Sequence, residues 1–167
     1  MRPGQRRAYA LRMKNSKFRV VPLSSEIAEA ARRTGVAGAA DHTIMVADSP
    51  NSYPCRHCLR WAESGERVVL FPFTSVSSGS PYAESGPVFV HAQPCEQYAD
   101  TDTYPAQFRH GRALRAYDAR RMMIDAIVVN GDGPEAGIEK LLDNPETDFI
   151  HVRSVTRGCY TMGIARA

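Results

Sequence analysis

Apolar residues along this chain come in short, mostly alternating runs rather than long stripes, a pattern that favours strands over helices. Residues 18–23 (FRVVPL) predict a first strand, with Pro22 at its edge or its end. Ser24-Ser25-Glu26 offers a helix N-cap, Ile27, Ala30 and Ala31 follow at helical spacing, and Thr34-Gly35 closes the element. After a Gly/Ala-rich connector, residues 42–47 (HTIMVA) predict a short strand, and residues 48–54 a turn-rich loop with two prolines. Residues 66–74 and 87–91 predict two more strands, separated by a Ser/Gly/Pro loop over 75–86. Residues 92–111 show no clear period and predict irregular structure, with a helical turn within 106–110.

The second half is more regular. Residues 112–118 and 122–129 predict an antiparallel hairpin turning at Ala119-Arg120-Arg121. Gly131-Asp132-Gly133-Pro134 opens a helix with Pro in its first turn. Ile138, Leu141 and Leu142 form its buried stripe, and Asn144-Pro145 stops it. Residues 149–155 and 160–165 are the closing strands, bent apart at 156–158. About eight strands and two principal helices, with strand neighbours close in sequence, predict a single α+β domain built on a mainly antiparallel sheet. The βαβ alternation of a doubly wound fold is missing. A chain of 167 residues suits one domain burying about 70% of its unfolded surface. No apolar run approaches the ~18 residues of a membrane helix, so no membrane partner is expected.

Charge changes this picture only at one end. The chain carries 21 basic and 18 acidic side chains, a net charge of +3. Residues 1–12 hold Arg2, Arg6, Arg7 and Arg12 and no acid, which leaves 17 basic against 18 acidic residues over 13–167. The surplus therefore belongs to an expected disordered basic extension, and residues 13–167 form the expected domain. A folded nucleic-acid module should carry a basic surplus of its own, so nucleic acid is not favoured as a partner. The arm lacks the apolar stretch of a secretory signal, and the expected compartment is the reducing cytoplasm.

Motif chemistry is sparse. The glycines at 131 and 133 lack the third glycine of a dinucleotide fingerprint, and neither a Walker-type Gly-Lys-Ser/Thr nor a Gly-x-Ser-x-Gly elbow occurs. Asp100 and Asp102 sit in a polar loop and read as solvated acids. The informative feature is Cys55-Arg56-His57-Cys58, the spacing by which two thiolates reach one tetrahedral ion. His91-Ala-Gln-Pro-Cys95 supplies a second pair, where a strand runs out. Thirty-two residues separate the pairs, so strands must bring them together. This reading gives a structural zinc site at Cys55, Cys58, His91 and Cys95.

Two other readings stay open. Arg56, His57 and Arg60 would favour a thiolate at Cys55 or Cys58, giving a thiol-redox or nucleophile enzyme with His151 as base. Equally, the thiols are inert core residues, His57 a surface side chain and His151 a strand histidine, in a metal-free module for a small molecule or a protein partner. The 75–86 loop reads as a surface loop or as a lid over the Cys/His site. Oligomeric state leaves no trace in the sequence.

The segments YPCRHCLRWAESGERVVLF, PYAESGPVFVHAQPC, RAYDARRMMIDAIVV and FIHVRSVTRGCYTMGI together resemble a bacterial family, domain of unknown function 1203. The resemblance covers about residues 18–167, with the basic arm outside it. It implies a small bacterial cytoplasmic protein and carries no assigned activity, so no catalytic residue transfers. It draws attention to Cys55, Arg56, His151 and Cys159, which lie inside the matching segments.

Overall fold

The computed structural model describes residues 16–131 and 133–167; the basic arm expected over residues 1–12, and Asp132, lie outside the described residues. In chain order the elements are β1 (Phe18–Val21), α1 (Ser25–Val36), β2 (Thr43–Val46), β3 (Arg67–Val76) and β4 (Glu84–His91). A 3₁₀ turn at Ala106–Phe108 precedes β5 (Arg112–Tyr117), β6 (Met123–Val129), α2 (Pro134–Leu142), β7 (Phe149–Ser154) and β8 (Tyr160–Arg166). All strand pairs are antiparallel, as expected. They form not one sheet but two, a five-stranded sheet in the order β1-β8-β7-β5-β6 and a three-stranded sheet β2-β3-β4.

Each helix covers one sheet. Ile138, Leu141 and Leu142 of α2 join Leu114, Ile150 and Val152 in the larger core, matching the expected stripe. Gly137 makes this approach close, because a Cβ there would lie 2.8 Å from Ile127 Cδ1 and 3.0 Å from Val129 Cγ1. Ser24 caps α1 as expected, accepting from the Ile27 N–H. The helix expected from the spacing of Ile27, Ala30 and Ala31 is present, and its buried face is Ala28, Ala31 and Gly35, while Ile27 is exposed. Close packing on β3 selects the small residues, since a Cβ on Gly35 would sit 3.0 Å from Val69 Cγ1.

The sheets are joined by Arg153 of β7, whose buried guanidinium donates to Glu84 at 2.8 Å, Ser75 at 2.8 Å and the Gly158 carbonyl at 3.1 Å. Beside it, Phe73 of β3 packs on Tyr160 of β8. β3 and β4 run further than expected, so only a short connection remains of the 75–86 loop. That connection is not a lid. Ser80 donates to the Arg121 carbonyl at 2.8 Å and Arg121 donates to Ser77, which ties the loop to the β5–β6 turn. Seven strand steps separate Glu84 from His91, about 24 Å, and hold the loop at the opposite end from the Cys/His residues. No helix among the described residues is long and apolar enough to cross a membrane.

Candidate metal centre

The Cys-x-x-Cys segment folds as a knuckle. Cys55 N–H donates to the Arg60 carbonyl at 3.0 Å, and Leu59 N–H donates back to Cys55 at 3.0 Å. Leu59 takes φ +56°, an uncommon conformation for a branched residue, and is held there by complete burial. Isolated bridges pair Pro54 with Trp61 and Cys55 with Phe89, and the Arg56 N–H donates to the Phe89 carbonyl at 2.9 Å. These bonds fasten the knuckle to β4. His91 is the last residue of β4, and Cys95 follows after a short irregular stretch.

The thirty-two intervening residues close up in space. One ligand atom from each of Cys55, Cys58, His91 and Cys95 lies within 4.8 Å of all the others. Cys55 Sγ is 3.9 Å from Cys95 Sγ, and Cys58 Sγ is 3.4 Å from His91 Nδ1. Thiolates on one tetrahedral zinc, at about 2.3 Å each, stand about 3.8 Å apart. All four cysteines are free of disulfide bonds.

The surrounding groups fit a metal. His91 aims Nδ1 into the cluster and holds Nε2 3.4 Å from Glu66 Oε2. That Nε2 is buried and its alignment with Glu66 falls short of a hydrogen bond, so the contact is electrostatic. A carboxylate behind a ligating histidine fixes the ring and raises its basicity. Glu66 is itself held by Arg60 at 3.1 and 3.2 Å and by the Glu63 N–H at 2.7 Å. Cys95 Sγ receives Arg32 Nη2 at 3.3 Å, while Arg32 Nε donates to the His91 carbonyl at 2.9 Å. His57 Nδ1 lies 3.3 Å from the same sulfur and His57 Nε2 lies 2.9 Å from Ser25 Oγ. Both contacts are satisfied when the Ser25 hydroxyl donates to Nε2 and Nδ1–H donates to sulfur.

The electrostatics are compatible with a cation among these groups. The thiols of Cys58 and Cys95 hold Cys55 far below the ordinary thiol range, and the resulting thiolate drives Cys58 far above it. One thiolate is easily accommodated and a second is resisted, unless positive charge sits between them. Burial works against the His91 cation, but hydrogen bonding to Cys55 and Cys95 keeps its pKa at about 9.

The other predicted residues lie elsewhere. Arg56 is buried and donates to the Tyr160 carbonyl at 2.8 Å and the Pro54 carbonyl at 2.5 Å, with burial pushing its pKa to about 10. His151 packs among the rings of Tyr117, Phe149 and Tyr160, and no hydrogen bond among the described residues joins it to Cys55. Burial, reinforced by Arg153 and Arg115, lowers the His151 pKa to about 3. Cys159 is half-buried and outside the four-ligand cluster. His57, a surface side chain in one of the alternative readings, is buried instead, because the knuckle turns it under α1 toward Ser25. Arg32 and Glu66 were missed by the sequence reading; neither has a spacing relation to the ligands.

Fold and site thus define an α+β domain with a Cys₃His cluster inside it. Comparison with protein families matches residues 52–166 to the family described as Protein of unknown function (DUF1203), and the chain belongs to that family. No curated protein and no solved structure matches it.

Proposed function

We propose that this protein is a cytoplasmic bacterial zinc-binding domain in which Cys55, Cys58, His91 and Cys95 hold one structural zinc ion. The observation that carries the reading is the convergence of three sulfurs and one imidazole nitrogen within 4.8 Å. The donor set favours zinc over magnesium or calcium, which prefer oxygen ligands. Free thiols ready to ligate suit a reducing compartment. Four protein ligands leave no position for water, so the bound ion supplies cross-linking rather than hydrolytic chemistry. The cross-link ties the knuckle to the end of β4, while Arg32 adds α1 to the same assembly. A nucleophilic role for Cys55 receives less support, because Cys55 is fully buried and His151 stays neutral down to acid pH.

Cobalt substitution tests the proposal. Reduced protein titrated with Co²⁺ should give thiolate-to-cobalt charge-transfer bands and the intense visible bands of tetrahedral coordination. Stoichiometric zinc should abolish them, and Cys95→Ser should weaken them. A weak octahedral spectrum, unchanged in Cys95→Ser, would count against the proposal.

A further inference from the structure

The knuckle presents one residue to the metal cluster and the next to a different cavity. Cys55 faces the other ligands, whereas Arg56 lines a cleft of ≈ 490 Å³ between the three-stranded sheet and the β5, β7 and β8 strands. The walls of this cleft are largely apolar, with Leu70, Pro87 and Phe89 on one side and Trp61 on another. Arg112, the first residue of β5, is a second buried cation in the lining, and the exposed Arg157 stands at its edge.

Both arginines are more than nine-tenths buried, Arg56 at 3% and Arg112 at 8% exposure. Neither forms a salt bridge among the described residues. Arg56 uses Nε and Nη1 on the Tyr160 and Pro54 carbonyls, and Arg112 uses Nε on the Phe108 carbonyl at 3.3 Å. Arg56 Nη2 and both terminal nitrogens of Arg112 have no hydrogen-bond acceptor among the described residues. They are not sealed in the core either, since among the described residues the only orphaned buried side-chain atoms are those of His91, His151 and Arg153. The spare donors therefore open to the cleft. Arg112 is steadied against aromatic faces, its guanidinium carbon 5.0 Å from the Phe108 centroid and 6.0 Å from that of Trp61.

Two guanidiniums with spare donors in a mostly apolar cleft are costly unless an anion meets them. Planar N–H forks match the paired oxygens of a carboxylate or phosphate, and apolar walls match a hydrocarbon body. We infer that this cleft binds a small organic anion, its oxyanion head on Arg56 and Arg112 and its apolar body against Trp61, Leu70 and Phe89. The inference does not depend on the metal, because none of the four ligands lines the cleft.

Trp61 is the only tryptophan and lies in the cleft wall, so its fluorescence reports binding directly. The purified full-length protein is titrated with benzoate, phenyl phosphate and uncharged benzyl alcohol. A saturable change is expected in the millimolar range or below for at least one anion, with benzyl alcohol weaker by about tenfold or more. The stronger of the two anions identifies the head group. Arg112→Met should weaken that anion by about tenfold or more while the thermal unfolding midpoint stays close to wild type. If Arg112→Met does not fold, Arg112→Lys keeps the charge without the fork and should still weaken binding. No saturable response to either anion, equal affinity for benzyl alcohol, or unchanged affinity in the folded Arg112 variant would overturn the inference. A zinc-free protein that still binds benzoate would leave it intact.

Discussion

His91 Nε2 stands 3.4 Å from Glu66 Oε2 while His91 Nδ1 stands 3.4 Å from Cys58 Sγ. The imidazole is thus clamped between a carboxylate and the sulfur cluster, with its ring buried and its two nitrogens given different tasks. Glu66 is oriented by Arg60, which lies just past Cys58 in the same knuckle. The carboxylate is a positioning residue: it acts on a metal only through His91.

Replacing Glu66 by Ala removes that support while keeping all four ligands. Zinc affinity, measured by competition with a chromophoric chelator, should fall by about 10–100-fold, the usual effect of losing such a partner. Glu66→Gln should fall in between. Unchanged affinity in both variants would show that the His91–Glu66 contact does not serve the metal.

His151 predicts a pH dependence unrelated to the metal. Its folded pKa is lowered to about 3 by burial and by Arg153 and Arg115, below the unfolded value of 6.5. The unfolded ring therefore takes up a proton first as the medium is acidified. The contribution of the neutral ring is complete above the unfolded pKa and is lost as pH falls from there toward the folded value. His151→Phe keeps a ring in place and removes the titration, so its melting temperature should fall less than wild type between about pH 7 and pH 5. Parallel curves would contradict this assignment.

Gly137 gives opposite predictions from local and tertiary reasoning. Helix propensity alone makes Gly137→Ala stabilising by about 1 kcal/mol. The new methyl would meet Ile127 Cδ1 at 2.8 Å, Val129 Cγ1 at 3.0 Å and Leu114 Cδ1 at 3.3 Å, so three walls close on it at once. Overpacking of this kind costs about 1–3 kcal/mol, and the net change in urea unfolding should be destabilising. A gain in stability would mean that the α2 interface yields more readily than these distances imply.

Much of this fold is legible in the sequence because its signals are local. Period-two alternation, the Ser24 cap, Pro134 in the first turn of α2 and the β5–β6 hairpin each depend on neighbouring residues. The four clustered residues are legible for the same reason, since Cys-x-x-Cys and His-x₃-Cys are spacings within single segments. The division into two sheets is not local. Alternation indicates which face a residue takes but not which strand lies beside it, and nothing near residue 18 marks β8 as the partner of β1. The part of Gly35 in the buried face of α1 is not legible either, because Gly35 packs through its lack of a side chain. Arg32, Glu66 and Arg112 were silent for a similar reason. Arg32 reaches Cys95, Glu66 reaches His91 and Arg112 meets Arg56 across long stretches of chain, and a charged residue ordinarily faces water.

On the proposed function, Cys55, Cys58, His91 and Cys95 bind zinc in the protein as it is made. Elemental analysis of protein purified without a metal-affinity tag tests it most directly. The prediction is about one zinc per chain in the wild type and marked loss in Cys58→Ser, with a clear drop in stability on chelation because structural zinc sites are worth of order 10 kcal/mol. Substoichiometric zinc that Cys58→Ser leaves unchanged would contradict it.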